Sequence, residues 1–201
     1  MARPVAILGT GQTYHTKARA DVHQGELVLE AAEAALLDAD LSFEDIDAIV
    51  LTNMELFEGR SMPDLWCGEF AGGLGKPLMK VATGGTSGTS GAMAGLVQAA
   101  SGVFDKVLVV GWEKHSEGST QAGMSLLDPT WDRQIASGAI GNFALSISQY
   151  VSGRGVTPEQ AALVAVKARR NGAKNPHTHV KDAGLTVEKV LASPVLAEPV
   201  H

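Results

Sequence analysis

The sequence predicts an α/β fold in which helices cover a mainly parallel sheet. Segments of strand type and helix type alternate in the order β-α-β-α-β-α-β over about the first 111 residues. The last strand-to-helix step of this series passes through residues 83–91, where every residue is glycine, serine or threonine. Because ligands of open α/β sheets gather at the carboxyl ends of the strands, we expect this turn, called the elbow below, to border a site.

The composition is that of an ordinary globular protein, with 45% hydrophobic and 19% charged residues in a chain of 201. The net charge of −6 argues against a general nucleic-acid binder, because such proteins carry a basic face. No apolar run approaches the roughly 18 residues of a membrane span, and the first residues lack the apolar region of a secretory signal. The single cysteine, Cys67, allows no internal disulfide and fits a cytoplasmic location.

The first predicted strand runs from Pro4 to Leu8 and ends at Gly9-Thr10-Gly11. This turn resembles the start of a dinucleotide-binding fingerprint, but Tyr14 stands where the third glycine belongs. No acidic residue closes a second strand at the expected distance. We therefore expect no nicotinamide or flavin site here.

Three elements are predicted before the elbow. Residues 25–38 are rich in leucine, alanine and glutamate at helical spacing and predict a helix, and residues 48–51 predict the second strand. Between them, Ser42 and Asp45 form a capping-box pattern that starts a short turn. A further helix is predicted from residue 62 to residue 71.

The elbow joins a strand near Met79 to a helix that reaches about Ser101. Its glycines allow backbone dihedrals that a Cβ atom would forbid, and they let a substrate approach the main chain closely. The first N–H groups of the new helix point back at the turn and are able to hold a carbonyl oxygen or an anion. The alternative is a tight turn packed against its neighbours. Because this turn contains so many glycine and hydroxyl residues, we favour a ligand-binding site over a packed turn.

A fourth strand is predicted from Lys106 to Val110, and the loop from Gly111 to Gly118 follows it. This loop is expected on the same rim as the elbow. Within it, His115 is a candidate general base or hydrogen-bond donor to a carbonyl. The alternative is a histidine that only ties down a polar loop.

The remaining part of the chain is predicted to be mostly helical. Residues 121–133 are predicted to be a loop. Residues 135–151 are predicted to form a helix, which Gly153 and Gly155 are expected to end. Thr186 is expected to cap a last short helix.

Between these two elements, Thr157 and Pro158 are expected to start a helix that reaches about residue 173. This region carries the strongest local positive charge, at Lys167, Arg169, Arg170 and Lys174. The cluster is either a solvated helix face or a contact to the phosphates of a nucleotide-like cofactor. His177 and His179 lack a nearby carboxylate or cysteine, so we expect no metal site.

Taken together, these motifs resemble the thiolase superfamily, in the branch of sterol-carrier-protein-type thiolases and thiolase-like aldolases. The stretches that carry the resemblance are residues 5–11, the elbow, residues 109–114, residues 175–179 and residues 191–194. They keep the family's order and spacing, and they cover nearly all of this chain but about half of a typical member. Each stretch alone is weak, whereas the combination is specific.

The resemblance implies a thiolase-like N-terminal half with the order β-α-β-α-β-α-β-β. Its core would occupy about residues 1–111, and an inserted loop domain would occupy about residues 112–190. A second, similar half that supplies catalytic residues would normally follow, and this chain does not contain it. The chain is then either a split subunit or a fragment of a longer polypeptide.

One departure from the family decides the expected chemistry. Thiolases place a nucleophilic cysteine at the elbow, and aligning the elbow by Ser87-Gly88 puts Gly85 at that position. Cys67 lies on another element, where a free cysteine is expected to be a small buried hydrophobe. The hydroxyls of Thr86 and Ser87 would need a strong adjacent base to attack a thioester.

The elbow still offers backbone N–H donors that could stabilise an enolate. The resemblance therefore implies a thiolase-like aldolase that cleaves a β-hydroxyacyl-CoA, including steroid side-chain substrates, without an acyl-enzyme. Gly84, Gly85, Thr86 and Ser87 would line the elbow, and His115 would lie on its polar rim.

The resemblance also implies binding partners. Arg169, Arg170 and Lys174 would contact the phosphates of coenzyme A, which is part of the substrate, and no tightly bound cofactor is expected. A homodimer and a small DUF35-type (OB-fold) partner subunit are implied. Two alternatives stay open: a thiolase whose cysteine comes from elsewhere, and a non-catalytic subunit that binds acyl-CoA.

Overall fold

The computed structural model describes residues 3–55, 57, 62–119, 130 and 138–201. The chain divides into two units, residues 1–118 and residues 119–201, and each is described by itself.

A parallel three-stranded sheet lies at the centre of the first unit. Its strands are β1 (Ala48–Thr52), β2 (Leu78–Val81) and β3 (Val107–Gly111), and their order across the sheet is β2-β1-β3. In the register, Ile49 of β1 lies opposite Leu78 on one side and Leu108 on the other. This arrangement confirms the predicted α/β class and its parallel sheet.

Helices cover both faces of this sheet. Helix α1 (Gln24–Asp38) places Val28, Ala32 and Leu36 in a buried cluster with the inward side chains of β1 and β3. Helix α3 (Ser87–Ser101) packs on the opposite face, against all three strands. As a result every residue of β1 is buried, which explains why this strand is a continuous apolar run.

Two predicted elements of this unit were wrong. Residues 4–8 form no strand. The predicted helix at residues 62–71 is only one turn long, α2 (Asp64–Cys67), and turns follow it. That helix ends early because the chain folds back through glycines: the N–H of Gly73 donates to the carbonyl of Gly68 at 2.9 Å, and Gly72 has a φ of +75°.

The second unit contains three described helices: α4 (Gly138–Arg154), α5 (Pro158–Gly172) and α6 (Val187–Leu191). The predicted caps are confirmed, because the hydroxyls of Thr157 and Thr186 each accept a hydrogen bond from an N–H in the first helical turn. The predicted loop at residues 121–133 lies outside the described residues, apart from Thr130, as does the predicted helix start at residues 135–137.

The described residues contain neither a membrane-spanning helix nor a cluster of metal-ligating side chains. None of their helices is long and apolar enough to cross a bilayer. Within the same ranges, no group of three or more histidine, cysteine, aspartate or glutamate residues is arranged to hold a metal ion.

The close contact of α3 with β3 yields a testable prediction. A Cβ atom at Gly95 would lie 2.4 Å from Cγ2 of Val109. A Cβ atom at Gly88 on the same helix would have no such contact within 4 Å among the described residues. We expect Gly95→Ala to lower the free energy of unfolding, because an overpacking cost of about 1–3 kcal/mol exceeds the helix-propensity gain of up to about 1 kcal/mol. Gly88→Ala, the matched control, should show only the gain. Urea denaturation measures both, and equal stability of the two variants would contradict the described packing.

Candidate functional site

The elbow lies at the carboxyl end of β2, between Val81 and the start of α3. Strands β1 and β3 run parallel to β2 and end at Thr52 and Gly111, so the residues after all three strands share one rim. This rim joins the elbow to residues 53–55 and to residues 112–117.

Hydroxyl groups of the elbow hold its own backbone in place. The Ser87 hydroxyl accepts from the N–H of Thr83 at 2.9 Å and donates to the carbonyl of Gly84 at 2.7 Å. The Thr86 hydroxyl donates to the carbonyl of Thr83 at 2.9 Å, and the Thr83 hydroxyl donates to that of Ser90 at 2.8 Å. The turn is therefore fixed from within, and this explains why it is so rich in serine and threonine.

The outer surface of the elbow is open. Apart from its own chain neighbours, a Cβ atom placed on Gly84, Gly85 or Gly88 would meet no atom of the described residues within 4 Å. Gly84 has a φ of +64°, a conformation that favours glycine, whereas Gly85 has no such restriction. The alternative of a turn packed against its neighbours does not describe these positions, and a ligand is able to reach the backbone here.

The helix start presents hydrogen-bond donors at the elbow. The N–H of Ser87 donates to the carbonyl of Gly84 at 3.0 Å, and the N–H of Ser90 donates to that of Thr86 at 2.9 Å. Among the described residues, nothing accepts from the N–H groups of Gly88 and Thr89. These two donors lie at the positive end of a helix of 15 residues, which suits an oxygen that carries negative charge.

The two elbow hydroxyls that were predicted as site groups have different surroundings. The Ser87 side chain is buried and its hydroxyl is bound at both the donor and acceptor side within the turn, so it positions the backbone. Thr86 is exposed. Its hydroxyl is the one that could turn from the Thr83 carbonyl to a ligand.

Side chains beyond the predicted set fix the rest of the rim. The buried Asn53 amide donates to the carbonyl of Trp112 at 2.9 Å and to the carboxylate of Glu113 at 3.2 Å. The same carboxylate accepts from the N–H of Met54. Asn53 and Glu113 thereby join the loop after β1 to the loop after β3.

A half-buried lysine on β2 adds charge to this rim. The ammonium of Lys80 pairs with the carboxylate of Glu55 and lies 3.8 Å from that of Asp64. Burial lowers the pKa of Lys80, and the nearby Glu113 carboxylate opposes this shift. The only sequence signal for this cluster is a lysine in an otherwise apolar strand.

His115 occupies the rim as predicted, and the described part of the chain contains no hydrogen-bond partner that would form a catalytic pair with it. It lies in a short 3₁₀ turn, His115–Glu117, and its ring stacks on the ring of Phe57 with centroids 3.9 Å apart. The histidine is exposed and Phe57 is buried, so one face of the imidazole is anchored while its edge stays accessible.

The remaining predicted residues belong to other elements of the chain. Arg169 and Arg170 are in the last turn of α5 and Lys174 follows that helix; all three are exposed, and no ion pair involves them within the described residues. Cys67 is fully buried, and its thiol donates to the Gln24 side chain at 3.8 Å. This position matches the small buried hydrophobe that was predicted.

Comparisons with known proteins show which sequences and structures this chain resembles. No family model matches the chain. It is 30% identical over 203 residues to an acetyl-CoA acetyltransferase of Methanocaldococcus jannaschii and 29% identical over 203 residues to one of Methanothermobacter thermautotrophicus. Both alignments cover 99% of this chain but 51% and 52% of the relatives, so the chain spans about half the length of the curated relatives it matches.

A solved structure, described as an Ltp2-ChsH2(DUF35) aldolase, has a similar fold. The TM-score is 0.76 at 22% sequence identity, and the likeness covers 98% of this chain and 50% of the other. At this identity, the similarity establishes a shared fold.

The two adjacent glycines of the elbow should respond differently to alanine. Gly84→Ala forces a side chain into the left-handed region and should cost about 1–2 kcal/mol of unfolding free energy. Gly85→Ala meets neither strain nor contact, so its stability should stay within about 0.5 kcal/mol of the parent. Thermal and urea denaturation of both variants test this pair. A larger loss for Gly85→Ala than for Gly84→Ala would show that the elbow is folded differently.

Proposed function

We propose that this chain is the N-terminal half of a thiolase-superfamily protein and is part of an acyl-CoA C–C bond lyase. Its likeness in sequence to the two acetyl-CoA acetyltransferases and in fold to the aldolase structure supports this proposal. The reaction is the retro-aldol cleavage of a β-hydroxyacyl-CoA without a covalent acyl-enzyme. The acyl group includes bulky ones such as a steroid side chain.

The absence of a thiol at the elbow carries this proposal. When the elbow is aligned with thiolases by Ser87-Gly88, Gly85 stands where they have their nucleophile. The one cysteine of the chain, Cys67, is buried against α1. The hydroxyls of Thr83, Thr86, Ser87 and Ser90 are engaged with the backbone or with one another. No elbow hydroxyl is paired with a base among the described residues. What remains available is a set of backbone N–H donors, which suit enolate stabilisation better than nucleophilic attack.

The proposed reaction needs no oxidant and no nucleophile. A base takes the proton of the β-hydroxyl, the Cα–Cβ bond breaks, and the β-carbon leaves as a ketone or aldehyde. The bonding electron pair moves to the thioester oxygen as an enolate, which the N–H groups of Gly88 and Thr89 stabilise. Protonation at Cα then releases the shortened acyl-CoA.

Each predicted residue takes a role in this scheme. Gly84 and Gly85 leave room for the thioester, Thr86 offers a hydroxyl to it, and Ser87 holds the donors in place. His115 supplies a proton donor or acceptor on the rim. Arg169, Arg170 and Lys174 contact the phosphates of coenzyme A, since three exposed cations without ion-pair partners among the described residues suit that group.

The assembly that we propose has three further properties. The chain forms a homodimer, it works in the cytoplasm, and it binds a small subunit of the DUF35 type. The last point is supported by the name of the aldolase with the shared fold. Coenzyme A enters as part of the substrate, and no other cofactor is required by the scheme.

A thiolase reaction is the second candidate function. The two archaeal relatives are named acetyl-CoA acetyltransferases, and this observation favours it. A thiolase built on this chain would take its cysteine from a polypeptide outside these 201 residues. The third candidate function is that of a non-catalytic subunit that binds acyl-CoA. The lack of a thiol at the elbow favours this function as well.

A bulky side chain at Gly85 tests whether the elbow is the site. We expect Gly85→Trp to lower kcat/KM for a β-hydroxyacyl-CoA at least 100-fold in the purified assembly, because the indole would fill the open space above the helix start. Gly153→Trp is the control, since position 153 is also open but lies on α4. Full turnover by Gly85→Trp would remove the elbow from the mechanism, and an assembly with no turnover at all that still binds acyl-CoA would favour the non-catalytic subunit.

Thiol alkylation separates the lyase from the thiolase. We expect a Cys67→Ala assembly treated with iodoacetamide to keep its C–C cleavage rate within about twofold, because no step of the lyase uses a thiolate. Parent assembly without iodoacetamide is the reference. Loss of activity on alkylation would identify a nucleophilic cysteine outside this chain and support the thiolase.

A further inference from the structure

Helix α1 begins with a histidine cap. The imidazole Nδ1 atom of His23 accepts from the N–H of Gly25 at 3.0 Å and from the N–H of Glu26 at 3.4 Å. The carboxylate of Glu26 accepts in return from the N–H of His23 at 2.9 Å, which completes a capping box. Serine, threonine, aspartate and asparagine are the preferred residues at this position, and none of them changes its charge near neutral pH.

This cap requires that Nδ1 carries no proton. A neutral imidazole that accepts at Nδ1 has its proton on Nε2, whereas an imidazolium donates from both nitrogens and accepts at neither. Protonation of His23 would therefore turn an acceptor into a donor that faces the N–H groups of Gly25 and Glu26. It would also place a positive charge at the positive end of the α1 dipole. Both changes oppose the cap.

Two neighbours contact the imidazole directly. The Glu26 carboxylate lies 3.9 Å from Nε2. Because the side chains of His23 and Glu26 are 59% and 50% exposed, an ion pair between them in the protonated state is weak and screened by salt. The other neighbour is the uncharged ring of Phe70, which meets the imidazole edge-on with centroids 5.0 Å apart. Neither contact replaces the two hydrogen bonds that protonation removes.

The start of α1 is joined to the loop after β3, residues 112–117, which we call the rim loop. The buried Lys114 ammonium donates to the carbonyl of Val22, the residue before the cap, at 2.6 Å. The indole N–H of Trp112 donates to the side chain of Gln24, the residue after the cap, at 3.4 Å. His23 therefore lies between two residues that hold the rim loop.

The other charged groups near the start of α1 are engaged with one another. On the segment before the helix, the Arg19 guanidinium pairs with the carboxylates of Asp21 and Glu30. In the rim loop, the Lys114 ammonium pairs with the Glu117 carboxylate. Since these charges largely offset one another, the hydrogen bonds at Nδ1 decide what protonation of the imidazole does.

We infer that His23 is a proton-sensitive cap that couples the pH to the rim loop. At the upper end of the range in which imidazoles titrate, roughly pH 5–8, the neutral ring caps α1 and Val22 holds Lys114 in place. As the pH falls through this range, the cap opens and residues 22–24 loosen their hold on the rim loop, which carries His115. The folded state favours the neutral imidazole, so its stability falls as the pH falls. The inference concerns the first unit alone and holds for each candidate function.

Amide hydrogen exchange of the 201-residue chain tests this cap, with protection factors corrected for the pH dependence of intrinsic exchange. We expect the protection of Gly25 and Glu26, whose amides bind the imidazole, to fall about fivefold or more from about pH 7.5 to about pH 5.5. The Glu117 amide, which donates to the Lys114 carbonyl in the rim loop, should lose about twofold or more. Val50, on the buried strand β1, is the internal control and should not change.

A variant with asparagine at the cap separates the imidazole from other titrating groups. Asparagine is a preferred N-cap and its side-chain oxygen accepts throughout this pH range, so His23→Asn should keep the protection of Gly25 and Glu26 constant. His15→Asn is the matched control. His15 is also exposed, and its imidazole bonds the Gln12 side chain instead of a helix start, so the pH dependence of the parent should remain.

A variant of the rim loop locates the coupling. Lys114→Met keeps an apolar stem and removes the ammonium, so it should retain the pH dependence at Gly25 and Glu26 and lose it at Glu117. Constant protection in the parent chain would overturn the inference, and so would a pH dependence that survives in His23→Asn. The coupling to the rim loop would be overturned by an unchanged Glu117 amide in the parent chain, or by a pH dependence of that amide that survives in Lys114→Met.

Discussion

The burial of β1 between two helices is the constraint on which the rest of the first unit depends. Residues 48–51 are at most 1% exposed, and this is achieved only if α1 covers one face of the sheet and α3 the other. Covering both faces by crossover helices requires parallel neighbours, so β2 and β3 end on the same rim as β1. The elbow, Asn53 and Glu113 come together there because of this topology, although they are far apart in sequence.

At that rim the elbow combines a rigid backbone with an open surface. Hydroxyls of Thr83, Thr86 and Ser87 satisfy the turn from inside, so Gly84 and Gly85 need no packing partner to hold their conformation. Preorganised donors in a fixed turn lower the cost of stabilising a developing charge, because they need not reorient during the reaction. This is a chemical capability that does not depend on a thiol, and it fits the proposed cleavage.

The sequence predicted strands and helices well where a local pattern of residues indicates them. It predicted them less well where the structure of a segment depends on contacts with distant parts of the chain. The three paired strands and the caps at Thr157 and Thr186 follow from apolar runs and hydroxyl positions. Residues 4–8 have a strand pattern, but a strand needs a neighbour at hydrogen-bonding distance, and no local pattern reports that. For the same reason, the double hydrogen bond of Ser87 and the contacts of Lys80 could not be predicted, since both depend on which backbone or carboxylate groups the fold brings near.

If this elbow supports C–C cleavage without a thiol nucleophile, the products that the assembly releases will show it. The assembly that contains this chain would be mixed with a β-hydroxyacyl-CoA and, separately, with a β-ketoacyl-CoA, each with and without free coenzyme A. For the proposed lyase, we expect the hydroxy substrate to release a ketone or aldehyde in the absence of free coenzyme A. Cleavage of only the keto substrate, and only when free coenzyme A is present, would contradict it and show a thiolase.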